Sequence, residues 1–166
     1  MSHHASVTAI AGCEVWGAAH TRHAALLRTL GATHVDSDQA DFTKVLPEGF
    51  DVVFDGIAED GFTRAWRAVG AKGHLSAYGF SAGVKSDAPL LLVGLWFAKL
   101  WWWNTFSGQR SAKFVSITTL RKQNPEWFVA DLGTLLDLLA RGDIQPRVAE
   151  RIDLDGVADA HERLEQ

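Results

Sequence analysis

The sequence predicts an α/β fold, a parallel sheet with helices on both faces, and residues 50–80 indicate it most clearly. Residues 52–54 are a short run of β-branched and aromatic side chains, typical of a strand buried on both faces. Asp60 is placed to cap a helix whose apolar residues follow Phe62 at i+3, i+4 and i+7, and residues 74–78 supply a second strand. A strand, a helix and a strand in about thirty residues form one βαβ unit, whose strands are parallel. We therefore expect these two strands to be adjacent.

The residues before this unit predict two more strands. Residues 13–19 form a strand that runs into small side chains, and Thr21 is the predicted cap of the helix that follows. Gly31 ends that helix, and residues 32–36 form the next short strand. The polar segment 37–48 completes the order β-α-β-α-β-α-β, and the glycines after residue 69 end the last helix of this series.

The pattern changes after residue 80. A loop is followed by a long apolar stretch, an alternating strand, a helix that begins at Asn124 and Pro125, another short strand and a final helix. The predicted bounds are 81–88, 89–103, 113–118, 124–142, 147–152 and 155–164.

Composition fits a single globular domain. The chain has 166 residues, of which 47% are hydrophobic and 22% charged, enough for a substantial core. A net charge of −4 gives no basic footprint, so we expect no nucleic-acid partner. Cys13 is the single cysteine, and the N-terminus has neither a basic nor a long apolar segment. These features favour a reducing compartment, and we expect the protein in the cytoplasm.

Seven segments follow one another in a familiar order: 12–18, 23–32, 50–55, 70–75, 114–117, 124–128 and 155–164. Together they resemble the cofactor-binding half of the medium-chain dehydrogenase/reductase family, nearest its quinone-oxidoreductase and zinc-type alcohol dehydrogenase-like branch. The resemblance implies a Rossmann-like fold and an NAD(P)H-dependent oxidoreductase.

The chain also departs from that family. No G-x-G-x-x-G phosphate loop occurs among its 15 glycines. The family's first strand, its separate catalytic domain and its last strand have no counterpart here. We therefore expect residues 1–166 to be one partial Rossmann-like domain, N-terminally truncated, with residues 1–11 a remnant or disordered start. The first strand is central in such sheets, so its neighbours pair directly, or the N-terminal segment or another chain fills the gap.

The three residues that follow the first predicted strand are candidates to bind the adenosine end of the cofactor. The resemblance places Thr21, Arg22 and His23 at the ribose or its 2′-phosphate. No acidic residue follows Ala18 and Ala19 to take the ribose hydroxyl, and a guanidinium suits a phosphate, so NADP(H) is preferred over NAD(H). The alternative is a solvated first turn of helix.

Other cofactor contacts are implied by the resemblance alone. They follow strands at the edge where ligands bind in open α/β sheets. As plain turns these residues would look much the same. The candidates are Gly56, Ile57, Ala58, Gly79, Phe80, Phe114 and Ser116.

Neither a catalytic residue nor a metal site is predicted. His20 and His23 lie three residues apart and could share a metal, but no third ligand has suitable spacing. The family's catalytic residues and zinc ligands belong largely to the domain without a counterpart here. We expect the isolated chain to bind NADP(H) weakly or not at all and to turn over nothing.

The segment 88–106 is an apolar insertion rich in tryptophan, and it leaves two interpretations open. It covers the active-site mouth or packs against a partner subunit, or it lies in a membrane interface through Trp96, Trp101 and Trp102. We expect a homo-oligomer with these tryptophans at or near the interface, or a separate catalytic subunit or domain as partner. A non-catalytic fragment or protein-interaction module is the alternative function.

Overall fold

The computed structural model describes residues 12–38, 42–47, 49–79, 89–146, 148 and 150–165. The strands are β1 Val15–Ala19, β2 Ala32–Asp36, β3 Phe50–Asp55, β4 Val69–Ala77 and β5 Ser111–Phe114. The helices are α1 Ala24–Thr29, α2 Thr63–Ala68, α3 Pro89–Phe106, α4 Ile117–Gln123, α5 Pro125–Ala140 and α6 Val157–Glu165, with 3-10 turns at Thr21–His23, Phe42–Val45 and Leu154–Gly156. The expectation for residues 1–11 and the predicted loop 81–88 lie outside the described residues.

The described strands form two parallel sheets. β1 pairs with β2, and the other sheet has the order β3-β4-β5. Val53 lies opposite Leu75 in parallel register, so the expectation that these two strands are adjacent is confirmed. The two sheets meet where the Trp16 ring packs edge-on against Phe50, with centroids 6.3 Å apart. The parallel α/β fold that the sequence predicts is therefore present.

The βαβ unit forms as expected at its start and differs at its end. The Asp60 carboxylate accepts hydrogen bonds from the backbone N–H groups of Thr63 and Arg64, both at 3.0 Å, and so caps α2. The helix then stops at Ala68 rather than at the glycines after residue 69. Val69 is already extended and pairs with Phe50, because β4 begins there.

β4 needs its glycines, and β3 is less buried than predicted. A Cβ on Gly73 would collide with the backbone oxygen of Phe50, so the strand approaches β3 closely there. Val52 and Phe54 are each 49% exposed, although the sequence predicts burial on both faces. β3 ends its sheet among the described strands, which explains the difference.

The segment after β5 is a second correction. The predicted strand 113–118 ends at Phe114, and α4 begins at Ile117. The Ser116 hydroxyl accepts a hydrogen bond from the backbone N–H of Thr119 at 3.4 Å, so the serine caps a helix. In the predicted strand 147–152, the residues the structure describes are not in a strand.

Two more predicted caps differ in detail. The His20 side chain, rather than Thr21, accepts from the first turn after β1, through a bond from the Arg22 N–H to Nδ1 at 3.1 Å. Asn124 precedes Pro125 at the start of α5 as expected, but its side chain makes no capping hydrogen bond.

The larger core lies between the three-stranded sheet, α2 and α3. Leu75 and Ala77 of β4 are fully buried there. The other buried members of this cluster are Ala58, Phe62, Trp66, Val69, Trp96, Leu100 and Ala112. A second, smaller cluster between α1 and β2 has Leu27 and Ala32 as its buried members.

Helix α3 packs on this core through one side. Trp96 is only 8% exposed and belongs to the core, so the expectation of a partner or membrane contact through Trp96 is wrong. Trp101 and Trp102 are 65% and 57% exposed. In the part of the chain that the structure describes, α3 included, no helix has the length and apolar character needed to cross a membrane.

Candidate functional site

The turn after β1 brings together the first group of candidate residues. Thr21, Arg22 and His23 form a 3-10 turn directly beyond the carboxyl end of the strand. The Arg22 Nε donates a hydrogen bond to the His23 Nε2 at 3.1 Å. The guanidinium is therefore held by its neighbour on an exposed turn, at the edge of the sheet where ligands bind in this class of fold.

Two carboxylates, one at the end of β2 and one two residues beyond it, lie beside this turn. Ala19 and Asp36 are paired in the parallel register, so the ends of β1 and β2 lie side by side. The backbone N–H of Asp38 and then the Thr21 hydroxyl, both hydrogen-bonded to the Asp36 carboxylate, lower the pKa of Asp36. His20 Nε2 lies 3.2 Å from the Asp38 carboxylate.

The sequence prediction missed this acidic neighbour. It considered the residues that directly follow Ala19 along the chain, whereas Asp36 arrives through strand pairing 17 positions later. The signal was present, because the predicted strands end at Ala19 and Asp36, and the carboxyl ends of neighbouring parallel strands lie at the same sheet edge. The turn consequently combines an arginine with a carboxylate whose acceptor sites are partly used by Thr21 and Asp38.

The second group of candidates lies at the carboxyl ends of β3 and β4. The Asp55 carboxylate accepts hydrogen bonds from the backbone N–H groups of Ile57 at 2.9 Å and Ala58 at 3.1 Å, which folds the loop tightly. Ala58 is fully buried with φ of 57°, a left-handed conformation that costs free energy for a residue with a Cβ. Ile57 is 40% exposed at the loop surface.

Gly56 and Gly79 are in close contact across the two loops. A Cβ on Gly79 would collide with the backbone oxygen of Gly56, and a Cβ on Gly56 would lie 2.7 Å from the Tyr78 ring. Burial, together with the charge of Asp55, raises the pKa of Tyr78. Because the atom in the way is backbone, only glycine allows this approach at position 79, whereas a side chain at position 56 would displace the Tyr78 ring. Phe80 lies outside the described residues.

The remaining candidates follow β5 and already have structural contacts. The Phe114 ring packs edge-on against Phe97, with centroids 5.1 Å apart. The Ser116 hydroxyl caps α4 and lies 2.9 Å from the Thr118 hydroxyl. The backbone N–H of Val115 donates to the Ala77 oxygen at 2.7 Å, which holds the start of this loop beside β4.

The pocket behind Phe114 is apolar and small. Its volume is about 10 Å³, far below the roughly 300–1,000 Å³ of typical ligand pockets. It is therefore packing space between α3 and the sheet. Its lining residues are Phe62, Val93, Trp96, Phe97, Leu100 and Phe114.

The described residues offer no group of three or more His, Cys, Asp and Glu side chains placed to hold a metal ion. His20 and His23 are engaged with Asp38 and Arg22 respectively. A zinc ion therefore has no donor set in this part of the chain.

The candidates thus form two groups on two sheets. Thr21, Arg22 and His23 share the turn after β1. The second group follows the neighbouring strands β3, β4 and β5 of the other sheet. Its described members are Gly56, Ile57, Ala58, Gly79, Phe114 and Ser116.

Solved structures share this fold. A putative NADPH:quinone reductase from Bacillus thuringiensis superposes with a TM-score of 0.77 at 16% identity, over 99% of this chain and 49% of that one. A quinone oxidoreductase from Coxiella burnetii gives 0.68 at 18% identity, over 96% and 44%. The CurK enoyl reductase gives 0.72 at 14%, over 97% and 46%. The chain spans about half the length of each or less.

Sequence comparison agrees with the fold. No curated protein matches the chain. The sequence model of zinc-binding dehydrogenases matches residues 30–166, which is most of it. This match confirms the resemblance to the cofactor-binding half of medium-chain dehydrogenase/reductases. The chain belongs to the zinc-binding dehydrogenase family.

Proposed function

We propose that this chain is the cofactor-binding part of an NADP(H)-dependent oxidoreductase that resembles quinone reductases and alcohol dehydrogenases. The observation that carries the proposal is the position of Arg22, held by His23 on the turn directly beyond β1. An arginine there suits the planar, bidentate recognition of a phosphate. The parallel strands of both sheets and the match to the family support the same reading.

The preference for NADP(H) over NAD(H) rests on the partners of Asp36. In dinucleotide-binding domains specific for NAD, a carboxylate accepts a hydrogen bond from the ribose 2′-hydroxyl. Here the Asp36 carboxylate already accepts from the Asp38 N–H and the Thr21 hydroxyl, which supports a structural role. Arg22 is then the group in this turn best suited to a 2′-phosphate.

The nicotinamide end of the cofactor is proposed at the other sheet. Gly56 and Gly79 add no side chain to this edge, where the Tyr78 ring lies beside Gly56, and Ile57 and Ala58 belong to a loop fixed by Asp55. Phe114 and Ser116 border the same edge from β5, and Phe80 is part of the same proposal by resemblance. The cofactor supplies a hydride when bound, and these residues would position it.

Binding by the isolated chain is expected to be weak, without turnover. A glycine loop and a helix N-terminus normally hold the pyrophosphate, and the sequence has no G-x-G-x-x-G motif. The catalytic residues would come from a further domain or subunit. Assembly as a homo-oligomer and a cytoplasmic location complete the proposal, the latter supported by the single cysteine.

Titration of the purified chain with NADPH and NADH, followed by fluorescence, tests the proposal. We expect an NADPH dissociation constant of roughly 0.1–1 mM, which Arg22→Ala weakens about tenfold while NADH binding changes little. Arg28→Ala, on the exposed last turn of α1, is the matched control. Equal effects of the two variants would refute the assignment of Arg22. Micromolar NADPH binding with quinone reduction would refute the expected lack of activity.

A further inference from the structure

The loop that joins β3 to α2, residues 56–62, contains backbone in the left-handed region of φ. Ala58, Gly61 and Phe62 have φ of 57°, 63° and 66°. For Ala58 and Phe62, which carry a Cβ, this conformation costs free energy and persists only where the surrounding structure enforces it. Both are buried, so the enforcing contacts lie within the fold. We call this segment the β3–α2 loop.

Hydrogen bonds connect the two ends of the β3–α2 loop. Near its start, the Asp55 carboxylate accepts from the backbone N–H groups of Ile57 and Ala58. Toward its end, the backbone N–H of Gly61 donates to the Ala58 oxygen at 3.1 Å. The position of the backbone at Gly61 therefore affects Ala58 and Ile57, two of the residues proposed to contact the cofactor.

Helix α3 contacts the end of this loop through two side chains. The Trp96 ring packs edge-on against Phe62, with centroids 5.9 Å apart, and a Cβ on Gly61 would lie 2.6 Å from the Trp96 Nε1. The Lys99 Nζ donates to the Gly61 oxygen at 3.0 Å and to the Thr63 hydroxyl at 2.6 Å. Lys99 is the one charged residue in the sequence of α3, and it is directed at the loop.

The direction of the Gly61 oxygen is linked to the conformation of Phe62. The peptide group between these two residues is planar and rotates as a unit. If its oxygen turned away from Lys99, ψ of Gly61 and φ of Phe62 would change together, and Phe62 would leave the left-handed region for a negative φ that side chains adopt more readily. The hydrogen bond from Lys99 opposes this rotation, because it requires the oxygen to face α3.

We propose that Lys99 is a positioning residue for the nicotinamide end of the cofactor: it holds the Gly61 oxygen, keeps the β3–α2 loop in its left-handed form and so sets the place of Ile57 and Ala58 at the sheet edge. The role of that edge rests on the proposed function. An ammonium suits the task, since its three donors can serve a carbonyl and a hydroxyl at once. Methionine would fill similar space without holding the oxygen.

Hydrogen exchange of backbone amides, measured by NMR on the full chain, tests whether Lys99 holds the loop. In Lys99→Met, the amides of Ala58 and Gly61 should exchange at least roughly tenfold faster relative to those of β4 than in the wild type. Lys99→Arg keeps donors for both acceptors and should restore most of the protection. Lys122→Met, at an exposed position of α4, is the matched control and should change neither region. Equal acceleration in the loop and in β4 would overturn the proposal, because Lys99 would then only stabilise the fold.

A second NMR measurement reports the orientation of the peptide itself. The one-bond coupling between Cα and Hα of Phe62 depends on the sign of its φ. The wild type and Lys122→Met should give the value of a left-handed residue, whereas Lys99→Met should move toward that of a residue with negative φ. An unchanged coupling in Lys99→Met would contradict the proposed hold on the Gly61 oxygen.

Two halves of the cofactor separate this inference from the proposed function. Reduced nicotinamide mononucleotide probes the nicotinamide end, and adenosine 2′,5′-bisphosphate probes the adenosine end, each titrated into the full chain and followed by NMR shifts. We expect Lys99→Met to weaken binding of the mononucleotide at least roughly fivefold and to leave binding of the bisphosphate unchanged. Arg22→Ala should do the reverse. Circular dichroism confirms the fold of each variant.

The outcomes of this titration are distinct. A wild type that binds neither half would refute the proposed function and this inference with it. If Arg22→Ala weakens the bisphosphate while the mononucleotide binds equally to the wild type and Lys99→Met, or binds to neither, only the positioning role is refuted. Loss of both halves in Lys99→Met would refute that role too, because the substitution would then act on the whole fold.

Discussion

The contact between Gly56 and Gly79 is the tightest constraint at the proposed nicotinamide edge. The backbone N–H of Tyr78 donates to the Asp55 oxygen at 3.0 Å, which draws the loops after β3 and β4 together. No side chain larger than hydrogen fits at Gly79 without moving the Gly56 backbone. Backbone cannot yield as the far end of a flexible side chain can, so the geometry of this edge depends on glycine at position 79.

Gly79→Ala should therefore lower the free energy of unfolding by about 1–3 kcal/mol, measured by urea denaturation. Gly133→Ala is the matched control, because Gly133 lies inside α5 with nothing within 4 Å of its Cβ position. Alanine is the better helix former, so this control should stabilise the chain by about 0.5–1 kcal/mol. A Gly79→Ala variant as stable as the wild type would show that the two loops separate at little cost.

The Asp36 carboxylate makes the stability of the region at the ends of β1 and β2 depend on pH. Hydrogen bonds from the Asp38 N–H and then from Thr21 lower the pKa of Asp36 in the folded chain. The unfolded chain thus binds the proton at higher pH, and the stabilisation is present above the ordinary pKa of 3.8 and lost as the pH falls through the folded pKa. Asp36→Asn should flatten the decline of the unfolding free energy in this acid range. An unchanged slope would contradict the assigned hydrogen bonds.

At the scale of elements, a stack of side chains ties α3 to α2. The Trp66 and Trp103 rings are parallel within 7°, with centroids 4.8 Å apart. The Arg110 guanidinium lies 4.2 Å from the centroid of Trp66, and the Lys99 ammonium lies 4.9 Å from that of Trp103. A cation closes the stack at either end. Burial lowers the pKa of Lys99. The Asp60 carboxylate favours the charged ammonium, and the nearby Arg67 disfavours it.

Trp103→Leu should remove one of the two rings of this stack and lower the free energy of unfolding by about 2–4 kcal/mol. Trp101→Leu changes the same side chain on the exposed side of the same helix and should stay within about 0.5 kcal/mol in a monomeric sample. Thermal or urea unfolding in dilute solution measures both. Equal losses in the two variants would mean that the stack does not hold α3 in place.

The elements that local patterns determine were the ones the sequence could predict. β3, α2 and β4 follow from an apolar run, the Asp60 cap and a helical spacing of apolar residues, all within thirty positions. The start of α4 was missed because residues 113–118 alternate as a strand does. Ser116, directly before the apolar Ile117, was the available signal of a helix cap.

Contacts between distant segments lay beyond local patterns. The partners of Asp36 depend on the register of β1 and β2, and the burial of Trp96 depends on which side of α3 meets the sheet. α3 is uniformly apolar, so its sequence alone does not indicate its buried face. The candidate residues of the site were identified by resemblance, and the structure adds the constraints on them that only packing reveals.

At the scale of the whole molecule, large apolar side chains are exposed on several of the described elements, Val52 and Phe54 of β3 among them. α5 exposes apolar side chains on more than one side, since Trp127 and Val129, two positions apart in the helix, are 59% and 70% exposed. Exposed apolar surface of this kind is typical of contacts beyond those within the described chain.

The two sheets differ in the size of the core behind them, and this predicts unequal resistance to opening. β4 lies in the middle of its sheet with Leu75 and Ala77 fully buried, whereas β1 and β2 rest on the small cluster around Leu27 and Ala32. The free energy of local opening follows the apolar surface that opening exposes. The amide hydrogens of β4 should therefore exchange at least roughly tenfold more slowly than those of β2, a difference of about 1.4 kcal/mol.

Native-state hydrogen exchange followed by mass spectrometry or NMR measures this difference strand by strand. Trp16→Ala removes the ring that contacts Phe50 between the sheets, 6.3 Å from centroid to centroid. If each sheet opens separately, this variant should speed exchange in β1 and β2 and leave β4 nearly unchanged. The contrary result is equal protection of both sheets from exchange in the wild type, with protection of both lost in Trp16→Ala. It would show that the chain opens as one cooperative unit, because a single contact would then couple two cores of very different size.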